Sequence, residues 1–321
     1  MLKIFKPIII VMGGPKSVFC EILFKALKNK NYKSPLILIG NFQKIQIEIK
    51  KLNFKKKIHL IKINDFKNIK IKNKINVINV DLKNSKNNKK KLHQLNTYIN
   101  KCFEIAFNLI KNGCSNKLIN APINKHEFLN KRFLGVTEFI SSKFTGKTGM
   151  LIYNKNLSVC PATTHLPISL VAKKVTKKLI EEKIEILNNF YKKYLKIKPK
   201  IAVVGLNPHC ESILEFNEDK RIVLSAIKNK SKKGINVKGP YSADTIFLKA
   251  NRKRFDVILG MFHDQVLTPI KTLYEFDAIN ITLGLPFIRI SPDHGPNKQM
   301  VGKNISNPLS LIRAIEFLDK N

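Results

Sequence analysis

Short runs of β-branched and aliphatic residues recur along this chain, and the stretches between them carry the three- and four-residue spacing of amphipathic helices. Apolar runs too short to be helices, bounded by turn residues, read as strands buried on both faces. Strand segments are expected at 7–12, 35–39, 77–80, 117–121, 150–153, 157–160, 200–204, 255–260, 279–283 and 287–290. Helices are expected at 17–29, 89–111, 124–132, 172–195, 217–229 and 308–319. Leu92, Leu95, Ile99, Phe103, Ala106 and Ile110 give the clearest helical stripe, and Gly113 stands where that helix stops. Residues 41–90 otherwise read as lysine- and asparagine-rich surface. Alternation of strands and helices over the whole length implies an α/β fold with a largely parallel sheet. At 321 residues two domains are expected.

Three histidines follow such strand segments by a few residues. They close VCPATTH at His165, VVGLNPH at His209 and VILGMFH at His263. In open α/β sheets, ligands gather beyond the carboxyl ends of strands. Three imidazoles delivered there can hold one divalent cation and leave a coordination position for substrate. A single histidine in such a place is more often a hydrogen-bonded loop residue; three from a pool of seven favour a site.

Residues 263–289 concentrate further polar groups. Asp264 and Gln265 follow His263, Lys271 stands one or two helical turns on, Asn280 lies in a strand, and Arg289 sits inside the apolar stretch LPFIRI. Lys271 and Arg289 can supply fixed positive charge for a carboxylate or phosphate, and Asn280 an amide donor. An arginine among aliphatic residues needs an anionic partner. The junction Asn120–Lys125 reads equally as an ordinary helix cap or as a loop lining a cleft. No GxGxxG occurs. A dinucleotide would therefore need another loop, and the segment from Asp293-His294-Gly295 through Gly302 to Asn307-Pro308 is the candidate.

Charge bounds the partners. The formal net charge is +37, yet arginine occurs only at 132, 221, 252, 254, 289 and 313. The lysine excess accompanies excess asparagine and isoleucine, all with A/T-rich codons, so base composition accounts for much of it. Nucleic-acid readout favours arginine and aromatic stacking surfaces, and the chain has no tryptophan. A basic nucleic-acid-associated protein without catalysis stays the alternative of another class; no specific nucleic-acid partner is expected. Five cysteines without a CxxC pair fit reduced thiols and a cytoplasmic location. Nothing approaches the ~18 continuous apolar residues of a membrane span.

Assembled in order, NAPINKHEFL (120–129), GVTEF (135–139), ATTHLP (162–167), GLNPH (205–209), GPYSADTIF (239–247), MFHDQVLTPIK (261–271) and INITLGLPFIRISPDHG (279–295) resemble the 4-hydroxythreonine-4-phosphate dehydrogenase family of vitamin B6 biosynthesis. The first hundred residues match only in layout. The resemblance implies two α/β/α domains like those of isocitrate and isopropylmalate dehydrogenases, with a discontinuous first domain at 1–120 plus 285–321 and a second at 121–284. It implies a homodimer with the metal site shared between subunits. His165, His209 and His263 would be the ligands of zinc, magnesium or cobalt. Thr137, Lys271, Asn280 and Arg289 would contact the substrate, a small phosphorylated hydroxy-amino acid. His294, Gly295, Gly302 and Asn307 would hold NAD or NADP, and Asp264 or Lys271 would move protons. The implied reaction is oxidation of 4-phosphooxy-L-threonine at C3, followed by decarboxylation to an amino-ketone phosphate.

Two departures stand out. The family has histidine before the threonine of its GHTEF motif, where this chain has Val136. The loop at 12–21, MGGPKSVFCE, lacks an acidic residue and two glycines of the family version. Val136 leaves open a related four-carbon sugar-acid phosphate, threonate or erythronate 4-phosphate, as substrate. A phosphate acyltransferase on the same scaffold is a further alternative, one that needs no metal-ligating histidines.

Overall fold

The computed structural model describes residues 5–14, 17–28, 30–63, 74–82, 88–123, 128, 133, 135–211, 215–292 and 298–321. The chain divides into two compact units, Met1–Lys143 with Pro286–Asn321, and Phe144–Leu285. The first unit thus runs past the boundary expected at 120.

In the first unit the strands are β1 (Ile8–Val11), β2 (Leu36–Gly40), β3 (His59–Leu60), β4 (Ile75–Asn79), β5 (Lys117–Asn120) and β12 (Ile288–Pro292), in the spatial order β3-β4-β2-β1-β5-β12. Every pairing among them is parallel. All four residues of β1 are fully buried. Successive strand residues point to opposite faces, so burial of all four means both faces are covered, which is why the run is continuously aliphatic. The helices are α1 (Phe19–Lys28), α2 (Phe42–Lys51), α3 (Asn88–Lys111), α4 (Val136–Ser141) and, at the end of the chain, Leu309–Lys320.

The helical stripe read in the sequence is α3, and Tyr98, Ile99, Cys102, Phe103, Ala106 and Leu109 carry its buried face. Leu92, expected on that stripe, is 38% exposed. Gly113, at φ +75°, ends the helix. Its N–H donates to Ile110 and that of Cys114 to Leu109, the paired bonds of a Schellman cap. Helix α2 occupies a stretch read as irregular surface: Asn41 caps it by accepting from the Lys44 N–H, and Ile45 is its one buried residue. The helix expected at 124–132 lies, apart from Phe128, outside the described residues.

The second unit holds β6 (Gly149–Tyr153), β7 (Ser158–Pro161), β8 (Ile201–Val204), β9 (Val237–Tyr241), β10 (Val257–Gly260) and β11 (Ile279–Leu283), in the order β11-β6-β7-β10-β8-β9. β6 pairs antiparallel with both neighbours, whereas β7, β10, β8 and β9 run parallel. Its helices are α5 (Ile168–Lys174), α6 (Lys177–Phe190), α7 (Ser225–Lys232), α8 (Ala243–Ile246), α9 (Lys249–Arg252) and α10 (His263–Tyr274), leaving Leu309–Lys320 as α11. The single helix expected at 172–195 is divided at Val175, because Thr176 caps α6 by accepting from the Leu179 N–H. That at 217–229 begins as a π-helical turn, Asp219–Leu224, before α7.

All five cysteines are free thiols. Burial pushes the Cys160 thiol up to about 11 and the Cys102 thiol up to about 12, the latter opposed by a hydrogen bond with Tyr98. A folded pKa raised above the unfolded value of 9.0 means the unfolded chain releases these protons first. Their contribution is complete below pH 9 and is lost as pH climbs through 11 to 12. The urea midpoint is therefore expected to fall between pH 9 and 11. The Cys102→Ala, Cys160→Ala double variant should show a shallower fall, and an equal fall would remove these two thiols as the cause.

Candidate active site

The three histidines belong to the second unit, beyond three neighbouring strands. β7, β10 and β8 lie side by side and parallel, with Gly260 in register with Pro161 and Leu259 with Val203. Their carboxyl ends therefore form one edge. The pairing of β7 with β10 continues past both strands: Ala162 N–H donates to Gly260 O (2.7 Å), and Thr163 directs both its N–H (3.1 Å) and its hydroxyl (2.7 Å) at Met261 O. Two residues beyond those bonds stand His165 and His263, with ring centroids 5.8 Å apart.

His263 opens α10, whose Val266, Leu267 and Ile270 are buried against residues of β6, β7, β8 and β10. Burying a valine or isoleucine side chain stabilises by about 1.5–3 kcal/mol, so this packing anchors the helix start firmly. Gly260 makes the approach possible, since a Cβ there would stand 2.4 Å from Val266 Cγ1. The Asp264 carboxylate, on a side chain 80% exposed, lies 2.6 Å from His263 Nδ1. Asp264 thus faces the imidazole itself, the place of a carboxylate that orients a metal-ligating histidine through its second nitrogen. Lys271 stands seven residues further on, on the same helix face as Asp264.

His209 is exposed on a turn of left-handed residues, His209 at φ +54° and Cys210 at φ +61°. Such conformations strain non-glycine residues and persist where neighbours impose them. The neighbour here is Asp219, a carboxylate 1% exposed that accepts from Leu206 N–H (2.7 Å), Asn207 N–H (3.1 Å) and Asn207 Nδ2 (3.1 Å). Gly205 accommodates that carboxylate; a Cβ would come within 2.8 Å of it. Nothing in the sequence pairs Asp219 with this turn beyond its being an acidic residue in a lysine-rich segment.

The donor chemistry fits a divalent cation. Imidazole suits zinc, cobalt and their neighbours, and His165 and His263 are close enough to face a common ion. Among the described residues, no three His, Cys, Asp or Glu side chains form a group that could hold a metal ion, so His209 stands on the same edge without joining the pair. Asn280, in β11, carries a buried Oδ1 with no hydrogen-bond partner among the described residues. A buried acceptor left open in this way is costly unless a ligand fills it.

Thr137 and Arg289 belong to the first unit and are bonded to each other. Arg289 is 2% exposed; its Nε donates to Asn120 Oδ1 (2.7 Å) and its Nη1 to Thr137 Oγ1 (3.1 Å). Burial pulls the guanidinium down to about 10, and the Glu138 carboxylate opposes that shift. It stays charged at neutral pH, and part of the anionic partner expected of it is supplied by the protein. Asn120, read as either cap or cleft residue, is a partner of this arginine.

His294 and Gly295 lie outside the described residues. Gly302 has φ +83°, with nothing within 4 Å of where a Cβ would project. Asn307 accepts from the Leu309 N–H at 2.9 Å, the local work of starting α11. The segment between them is tied to α1: buried Glu21 accepts from Ser306 N–H (2.8 Å), while Lys25 Nζ donates to Asn304 O (2.9 Å) and Ser306 O (3.1 Å). Residue order signals none of these contacts beyond the helical spacing of Glu21 and Lys25.

The family model for pyridoxal phosphate biosynthetic protein PdxA matches residues 31–318. The chain belongs to the PdxA family. A relative from Sulfurihydrogenibium sp. (strain YO3AOP1), named 4-hydroxythreonine-4-phosphate dehydrogenase, is 35% identical over 322 residues, 96% of each chain. One of the same name from Bacteroides thetaiotaomicron is 38% identical over 218 residues, 66% of this chain and 60% of its own. A crystal structure of 4-hydroxythreonine-4-phosphate dehydrogenase from Klebsiella pneumoniae superposes with TM-score 0.80 at 28% identity, covering 98% of both chains. The expected family and oxidoreductase class are borne out, as is the α/β fold. A phosphotransacetylase from Staphylococcus aureus shares the fold at TM-score 0.53 and 13% identity. No helix among the described residues is long and apolar enough to cross a membrane.

Proposed function

We propose that this chain oxidises 4-phosphooxy-L-threonine at C3 with NAD+ or NADP+ and releases the C1 carboxylate as carbon dioxide, yielding 3-amino-2-oxopropyl phosphate in cytoplasmic vitamin B6 synthesis. The observation that carries the reading is the single edge formed by the ends of β7, β10 and β8, a few residues before His165, His263 and His209, with the rings of His165 and His263 5.8 Å apart. Those three residues would hold zinc, cobalt or magnesium in a homodimer that shares the site between subunits. When bound, the cation would supply positive charge at the substrate hydroxyl, and NAD(P)+ would accept the hydride.

The chain's own groups do the rest. Thr137 accepts a hydrogen bond from Arg289, which leaves its hydroxyl hydrogen to donate to a substrate oxygen. Asn280 turns its amide to the substrate, the open Oδ1 accepting from a substrate hydroxyl or ammonium. Lys271 sets a positive charge against the phosphate or carboxylate. Asp264 holds His263 by Nδ1, and Asp264 or Lys271 would pass a proton. The segment from Gly302 to Asn307, held on α1 by Glu21 and Lys25, takes the dinucleotide together with His294 and Gly295.

One assay tests this. Reduction of NAD(P)+ with 4-phosphooxy-L-threonine should proceed with a divalent cation, stop with a chelator and resume on adding the cation back. Chelator-resistant turnover would remove the histidines from the reaction. Because Val136 replaces the family histidine, the same assay with erythronate 4-phosphate forms the second arm. A larger kcat/KM there would reassign the substrate.

A further inference from the structure

Asn120 is buried beside Arg289 and has no part in the reaction proposed above. It is the last residue of β5, and β12 pairs with that strand in parallel, with Arg289 opposite Leu118. Register partners point to one face of a sheet, as do residues two apart along a strand. Leu118, Asn120 and Arg289 therefore share a face. Asn120 stands two residues beyond the arginine, about 7 Å toward the carboxyl end of the strands. The arginine side chain spans that interval: its Nε donates to Asn120 Oδ1 at 2.7 Å and its Nη1 to Thr137 Oγ1 at 3.1 Å. A residue rooted within the sheet thus carries its charge to the edge where ligands gather.

Asn120 decides which atoms meet there. Its Nδ2 donates to Ala121 O at 3.0 Å, which turns the acceptor, Oδ1, to the guanidinium. Both of these acceptors, the amide oxygen and the Thr137 hydroxyl, are neutral. They satisfy N–H donors and leave the charge of the cation standing, whereas a carboxylate at position 120 would oppose it in direct contact. The Glu138 carboxylate already favours the charged guanidinium. Thr137, only half-buried, is the open end of this row.

We infer that Asn120 is a positioning residue: its neutral amide aims the Arg289 guanidinium at Thr137 without cancelling its charge, and so sets the affinity of the chain for the anionic part of the substrate. This rests on the reading that Thr137 and Arg289 meet the substrate. The experiment is a calorimetric titration of the full-length chain with 4-phosphooxy-L-threonine, with Co2+ present and NAD(P)+ absent. It compares wild type, Asn120→Asp, Asn120→Ala and Thr137→Val, with the urea midpoint, kcat and KM of each.

Asn120→Asp keeps the shape and the acceptor and adds the opposing charge. It is expected to bind the substrate about 10-fold or more weakly and to raise KM in step, with kcat little changed. A merely structural role predicts wild-type affinity in this variant once it is folded, and that result overturns the inference. Asn120→Ala removes the acceptor and loosens the guanidinium, so affinity and kcat should fall together. Should Asn120→Asp fail to fold, Asn120→Ala decides alone, and wild-type affinity in it overturns the inference. Thr137→Val tests the underlying reading separately: unchanged affinity there takes the pair away from the substrate, and the inference falls with it. Absence of binding to the wild-type chain does the same before any substitution is made.

Discussion

Replacing His209 by alanine is expected, on the proposed reaction, to abolish cation-dependent oxidation of 4-phosphooxy-L-threonine, a loss of more than about 100-fold, while the chain keeps its fold. The two halves of this expectation have separate causes. The imidazole is exposed and sits outside any buried cluster, and substitutions of that kind change stability within about 0.5 kcal/mol. The left-handed backbone at φ +54° is imposed by the grip of Asp219 on residues 206 and 207, which the substitution leaves in place. On the proposed reading, loss of the ring would take away one of the three imidazoles that the shared site needs, and with it the cation. Metal content by mass spectrometry, NAD(P)H formation and the urea midpoint are the three measurements. Full activity with wild-type metal content would take His209 out of the site.

Arg289→Ala acts the opposite way, through stability first. The arginine is almost fully buried, holds Asn120 and Thr137, and offsets the Glu138 charge. Truncation leaves Asn120 Oδ1 and the carboxylate without that cation and opens a cavity. Breaking a buried charged arrangement from one side costs about 3–5 kcal/mol, a large share of a domain's stability. The urea midpoint should fall accordingly. Arg289→Lys should recover only part of it, because a lysine ammonium cannot span both partners as the planar fork does. At temperatures where Arg289→Ala remains folded, kcat/KM should also fall, since the Thr137 hydroxyl loses the bond that orients it. An unchanged midpoint would refute the structural part of the argument.

Much of this architecture was readable from residue order. Buried parallel strands leave a readable pattern, since most of their side chains are apolar despite exceptions such as Asn76, Lys117 and Arg289, and the three histidine segments stand out because the same residue type follows each such run by a few positions. Helix α2 was hidden for a physical reason. Ile45, Ile47 and Ile49 recur at every second residue, a strand period, yet only Ile45 is buried and Ile47 is 44% exposed. β9 is not legible in the residue order because it contains Gly239-Pro240; as the last strand of its unit's order it tolerates a residue without an N–H. The bracing of the site was the least legible part. Asp219 acts on main-chain groups of a distant turn, and a peptide N–H carries no residue identity for a sequence pattern to register.

The strand order of the second unit also bears on how the protein is made. β10 stands between β7 and β8, yet it leaves the ribosome after both. Until residues 257–260 have been synthesised, the strands before His165 and His209 have no neighbour in common, and no truncated chain ending earlier can contain the completed histidine edge. Contacts so distant in sequence close late and slowly, so capacity to capture a cation should arise only once synthesis has passed the third histidine.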